Sequence, residues 1–175
     1  TMNVVMIGGA MANTFLYAKG FKIGKSRAET DYKKTALDIL KRAEKHHCKL
    51  LLPVDVVVAS EFAPQAECRI VDVKHIPAQG MAIDIGPATV EAFAKEIRRV
   101  KTLIWNGPLG AFEVSPFDAG SVSLARTIAY LTAKKQLCSI GGGGDTLAAL
   151  AHAGMTQEFT YLSTAGGAFL EWLEG

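Results

Sequence analysis

The sequence predicts an α/β fold: a three-layer α/β/α domain built on a mostly parallel sheet. Three observations carry this. Short runs rich in Val, Ile and Leu alternate with longer segments of helical period, as when helices cross over between parallel strands. Several runs are almost continuously apolar, as strands buried on both faces require. Several also end in glycine or small polar residues, and open α/β sheets bind ligands beyond the carboxyl ends of their strands. The architecture is Rossmann-like, and the 49% apolar content of 175 residues suffices for one domain, residues 1–175, with a real core.

In chain order, strands are predicted at about Asn3–Ile7, Lys49–Leu52, Val56–Ala59, Arg69–Val73, Thr102–Trp105, Leu137–Ile140 and Thr160–Leu162. Helices are predicted at about Met11–Ala18, Ala28–His47, Ala88–Arg99, Phe117–Ala133, Thr146–His152 and Gly167–Leu173. In the long second helix, Ala36, Ile39, Leu40 and Ala43 form the buried stripe, while Lys33, Lys34, Lys41, Arg42 and Lys45 form its wet face. His46 and His47 fall at its C-terminal end, where a cation suits the helix dipole. Pro53 interrupts the ladder between two strand pieces, and Asp55 is expected to bond nearby backbone. Trp105 reads as core.

The chemistry concentrates at Gly141-Gly142-Gly143-Gly144-Asp145-Thr146, between a strand and a helix. A helix start offers unpaired N–H groups and the positive end of its dipole, and glycines let a phosphate approach the backbone closely. Asp145 adds an oxygen ligand for Mg²⁺, and Thr146 adds a hydroxyl donor. An N-capping aspartate in a plain tight turn is the structural alternative.

Three further strings lie at strand ends: Gly8-Gly9…Phe15-Leu16, Trp105-Asn106-Gly107-Pro108…Phe112-Glu113 and Ser163-Thr164…Gly166-Gly167-Ala168. With Leu52-Pro53-Val54-Asp55, Asp84-Ile85-Gly86-Pro87 and the glycine loop, they resemble, in order, the C-terminal nucleotide-binding domain of phosphoglycerate kinase. The resemblance runs from about Asn3 to Gly175.

It implies ATP or ADP with Mg²⁺ as cofactors, and phosphoryl transfer between 1,3-bisphosphoglycerate and ADP, giving 3-phosphoglycerate and ATP. Asp145 would hold the metal. Gly142, Gly143, Gly144 and Thr146 would meet the phosphates, with Asn106 and Gly107 nearby. Pro108 would pack on ribose or base, and Glu113 would accept from the ribose hydroxyls. Gly8, Gly9 and Gly86 would line the adenine slot. Thr164, Gly166 and Gly167 would face the transferring phosphoryl group, where positioned donors matter most. The family commonly has glycine at positions 10 and 165, here Ala10 and Ala165, and often leucine at 27, here Arg27.

The resemblance further implies a fragment of a two-domain, monomeric enzyme. The acidic substrate would bind through an N-terminal domain absent from this chain, so the fragment alone would bind nucleotide weakly and catalyse little. A non-catalytic nucleotide-binding or interaction module derived from such a kinase is the competing reading. A dehydrogenase lacks support, because no G-x-G-x-x-G follows the first strand.

Charge is nearly balanced, with 19 basic and 17 acidic residues, which gives no footprint for nucleic acid or an anionic membrane. No apolar run approaches the roughly 20 residues of a bilayer span. Cys48, Cys68 and Cys138 show no CxxC spacing and are expected as reduced, partly buried thiols, in keeping with a cytoplasmic protein.

Overall fold

A computed structural model describes residues 2–164 and residue 171. Strands β1 (Val4–Met6), β2 (Lys49–Leu51), β3 (Asp55–Ala59), β4 (Cys68–Asp72), β5 (Met81–Ile85), β6 (Thr102–Asn106), β7 (Cys138–Gly142) and β8 (Tyr161–Ser163) are joined, except from β2 to β5, by helices. These are α1 (Gly9–Ala18), α2 (Lys33–Lys45), α3 (Pro87–Ile97), α4 (Ala119–Ala133) and α5 (Gly144–His152). The α/β class and the mostly parallel pairing hold.

The chain divides into two compact units. The first takes the residues up to Phe93 with Leu109–Gly120; the second takes Ala94–Pro108 with the residues from Ser121 onward. In the first unit β1 and β2 pair in parallel, while a separate sheet of order β4-β3-β5 is antiparallel throughout. In the second unit β6, β7 and β8 form a parallel sheet of order β6-β7-β8. The expected sheet is thus interrupted by an antiparallel portion. The short connection between β3 and β4 suits their pairing, since antiparallel neighbours need no crossover helix, and β5 pairs on the other side of β3.

Strand β3 is buried at every position, as its Val-rich run demands. β4 is an edge strand, largely exposed, with Ile70 58% accessible. Leu16, Val56, Val58, Val73 and Ile76 form one core cluster. Another joins Ile7, Ala12, Phe15, Ala18 and Ala36, with Leu37 and Leu40 packed on it. The buried stripe of α2 therefore runs through Leu37, while Ile39 is exposed. At 3.6 residues per turn, Leu37 lies only about 60° round the helix from Leu40, whereas Ile39 lies about 100° away.

The second helix is shorter than the sequence suggests. Thr14 Oγ1 accepts the Glu29 N–H at 2.9 Å, and a 3-10 turn at Thr30–Tyr32 precedes α2. At the far end His47 adopts φ 54° and stops the helix after Lys45. Strand β5 has no counterpart in the sequence reading. The helix expected at Gly167–Leu173 lies, Glu171 apart, outside the described residues. Cys68 and Cys138 are exposed rather than partly buried, Cys68 because it sits on the β4 edge.

Candidate functional site

In the second unit, three parallel strand ends come level. The register sets Asn106 beside Gly142, and Gly142 beside Ser163. Beyond β6 the chain turns at Gly107 with φ 92°; beyond β7 it turns at Gly143 with φ 94°, a region that disfavours side chains. Gly143 caps α5, and Gly144 and Asp145 open its first turn. Asp145 is therefore not the cap residue. It is exposed, and no described residue bonds its carboxylate.

Two bonds lock this arrangement. Thr146 is 1% exposed, and its Oγ1 accepts the Gly107 N–H at 2.7 Å, tying the turn after β6 to α5. The Gly143 N–H donates to the Ser163 carbonyl at 3.1 Å, so it serves the fold rather than a ligand. The donors that α5 leaves over are those of its own first residues, Gly144, Asp145 and Thr146. Among the described residues, a Cβ at Gly107 or Gly144 would meet no atom within 4 Å, whereas one at Gly141 would lie 2.6 Å from Leu162 Cδ2. Trp105, which donates from Nε1–H to the Gly107 carbonyl, is core as expected and lies 6.2 Å from the Phe159 ring. Pro108 is half-buried and Thr164 is exposed; Gly166 and Gly167 lie outside the described residues.

The remaining candidates belong to the first unit. Gly8 precedes α1 as its cap, and a Cβ there would fall 2.6 Å from Leu109 Cδ2 and 3.1 Å from Leu109 Cα. Gly9 has φ 61° and donates to the Leu109 carbonyl at 2.9 Å. Gly86 is buried, and a Cβ there would fall against the Asp55 carboxylate. Asp55 accepts from Thr89 N–H at 2.7 Å, Thr89 Oγ1–H at 2.6 Å and Ala88 N–H at 3.0 Å, fastening the start of α3 to β3 as its assignment to structure foresaw. Glu113 is exposed and without a bonded partner among the described residues.

Asp84, quoted above only as part of a motif, has no role assigned from the sequence. It stands on β5, 3% exposed, and burial pushes its carboxyl up to about 7, with Asp118 adding a smaller push in the same direction. Two N–H donors, from Gly120 at 2.7 Å and Ile85 at 2.8 Å, partly offset the burial. The short apolar run Met81-Ala82-Ile83, broken by Asp84 before Ile85 and bounded by Gly80 and Gly86-Pro87, is the signal that could have revealed both strand and carboxylate.

The described residues contain no cluster of three His, Cys, Asp or Glu side chains able to enclose a metal. One exposed carboxylate beside a helix N-terminus is instead a donor set that would suit an ion held mainly by phosphate oxygens and water.

Comparison with known proteins decides the family. The family model described as phosphoglycerate kinase matches residues 1–175. The chain belongs to the phosphoglycerate kinase family. It is 53% identical over 174 residues to phosphoglycerate kinase of Granulibacter bethesdensis, covering 99% of this chain and 44% of that protein. It is 55% identical over 171 residues to that of Rhizorhabdus wittichii, covering 98% and 43%. The solved structure of phosphoglycerate kinase from Coxiella burnetii superposes with a TM-score of 0.93 at 41% identity, covering 99% of this chain and 44% of that one. The chain thus spans less than half the length of the phosphoglycerate kinases it matches.

Proposed function

We propose that residues 1–175 are the nucleotide-binding domain of a cytoplasmic, monomeric phosphoglycerate kinase. The whole enzyme moves a phosphoryl group between 1,3-bisphosphoglycerate and ADP, giving 3-phosphoglycerate and ATP. The acidic substrate is taken by a part of the enzyme outside this chain. The observation that carries the reading is the second unit's phosphate loop. Asp145, without a bonded partner among the described residues, and Gly107 and Gly144 stand at level strand ends, beside the N-terminus of α5.

Each residue then has a role. The N–H groups opening α5 donate to phosphate oxygens, and the dipole of α5 favours their negative charge. Gly107 and Gly144 let the phosphates approach without meeting a Cβ. Thr146 holds the Gly107 turn against α5 through its Oγ1, leaving its hydroxyl proton to donate onward. Asp145 is the residue that would hold Mg²⁺, which would supply positive charge to offset that of the phosphates. Asn106 borders the phosphates from the end of β6, and Thr164, Gly166 and Gly167 donate to the group in flight.

In the first unit, Glu113 accepts from the ribose hydroxyls. The Gly8-Gly9 turn and Gly86 meet the base, while their bare Cα positions also admit Leu109 and Asp55. Pro108 packs on ribose or base.

Calorimetry of Mg·ADP binding to the wild type and Asp145→Ala tests the reading. Loss of a charge-assisted ligand should weaken magnesium-dependent affinity roughly tenfold or more. Equal magnesium dependence in both proteins would remove the metal assignment.

A further inference from the structure

Segment 109–120 is drawn onto one side chain from both of its ends. At the far end, the Gly120 N–H donates to Asp84 Oδ2 at 2.7 Å. At the near end, Gly110 lies so close that a Cβ there would fall 2.2 Å from Asp84 Oδ1. The same crowding recurs at Gly120, where a Cβ would reach Asp84 Oδ1 at 2.7 Å. Glycine at both positions is what lets the two ends close on one carboxyl.

Between these ends the segment is anchored along β5 and β3. The Ala111 N–H donates to the Ile83 carbonyl at 3.1 Å. Phe117, fully buried, clusters with Val57 and Ala59, and Ala111 and Val114 pack beside it. Glu113 projects from this anchored segment, three residues past Gly110, and is its exposed carboxylate.

We propose that Asp84 is a positioning residue for the nucleotide: by closing the segment 109–120 it holds Glu113 where the ribose hydroxyls bind. The proposal rests on the ribose role given to Glu113 above.

The clamp responds to pH in the neutral range. As a carboxylate, Asp84 accepts both the Gly120 and Ile85 N–H groups. Protonation turns one oxygen into a donor and takes an acceptor from that pair. Burial holds the transition near 7. The charged groups around it are Asp118, from the segment itself, and Asp55, on the neighbouring strand β3 and bonded to α3. On its remaining side lies a cavity of about 10 Å³, walled by uncharged residues that include Gly9, Asn13 and Pro53. Among the described residues, no basic side chain lines that cavity to hold the carboxylate ionised.

The test compares ADP with 2′,3′-dideoxy-ADP by calorimetry in excess Mg²⁺, from pH 6 to 8. The ratio of the two affinities cancels the protonation of the phosphates, which both ligands share. The wild type should prefer ADP about tenfold or more at pH 8, the worth of hydrogen bonds to a carboxylate. That preference should shrink severalfold toward pH 6. Glu113→Gln should lose most of it at every pH. Asp84→Asn should show a reduced preference that no longer varies with pH, with unchanged magnesium dependence.

The Gly120 amide resonance of the wild type should titrate with a midpoint near 7, which decides the clamp chemistry even if Asp84→Asn folds poorly. The same preference in Asp84→Asn as in the wild type at every pH, with Glu113→Gln defective, overturns the clamp and leaves the ribose reading intact. Full preference in Glu113→Gln overturns the ribose reading and the clamp's purpose with it. A Gly120 amide that does not titrate overturns the pH response.

Discussion

Asp84 should leave a signature in stability as well as in binding. Its carboxyl titrates near 7 in the folded chain against 3.8 for the unperturbed group. The folded state therefore holds the proton more tightly than the unfolded chain does. Below about pH 4 both states are protonated and the group contributes fully to folding. As pH rises through about 7, the folded protein must ionise a buried carboxyl, and that contribution is lost. A gap of about three pKa units corresponds to about 4 kcal/mol between the ends of the window.

Asp84→Asn removes the titration while keeping the size and one acceptor oxygen. Urea unfolding of both proteins at intervals from pH 4 to 8 gives the difference in stability at each pH. Other titrating groups cancel in that difference. The advantage of wild type over variant should fall by about 4 kcal/mol from pH 4 to pH 8. With a slope of about 2 kcal/mol per molar urea, the gap between midpoints moves by about 2 M. Equal slopes for the two proteins are required for the comparison. A difference that stays constant across the range would show that Asp84 is not a buried carboxyl with a raised pKa, and the physical reasoning would fail.

Other substitutions probe the two units separately. Thr146→Val should cost about 1–3 kcal/mol, because the Gly107 N–H loses its acceptor, and should weaken ADP binding; denaturant melts with calorimetry check it. Gly86→Ala places a methyl on the Asp55 carboxylate and should lower the melting temperature clearly, whereas Gly144→Ala, with open space around it, should leave thermal stability nearly unchanged. Leu150→Ala, at a position with 0% exposure, should cost about 2–5 kcal/mol in urea.

The parts of the fold legible in the sequence are those with local signals. The Val-rich run of β3, the periodicity of α4 and the strand-loop-helix of β7 and α5 were placed to within a few residues because propensity and pattern agreed there. Strand β5 leaves only a weak signal: it is short, its fourth residue is the acidic Asp84, and its pairing with β3 is non-local. The shortening of α2 was invisible, since it depends on Thr14 reaching Glu29 from another helix. The same distinction divides the candidate site. Asp145 could be singled out from its neighbours in sequence, whereas the importance of Asp84 depends on Gly110 and Gly120 returning to it through space.

Glycine is where this distinction matters most, because one residue type answers two physical demands. At Gly8, Gly86, Gly110 and Gly120 the missing Cβ is taken up by protein: Leu109, the Asp55 carboxylate, and the Asp84 carboxyl twice. At Gly107 and Gly144 none of the described residues stands where a Cβ would be. The first group is glycine because the fold closes there, so a methyl costs stability before it can affect any ligand. Of the second group, Gly107 also needs its positive φ, but Gly144 does not. Gly144→Ala therefore separates the two demands most cleanly. If this glycine is there for a phosphate, alanine should leave the melting temperature within about 1 °C and still weaken Mg·ADP binding severalfold, because only the ligand meets the added methyl. Unchanged affinity would mean that the phosphates approach α5 from another side, and the assignment of the loop would have to move toward Gly107.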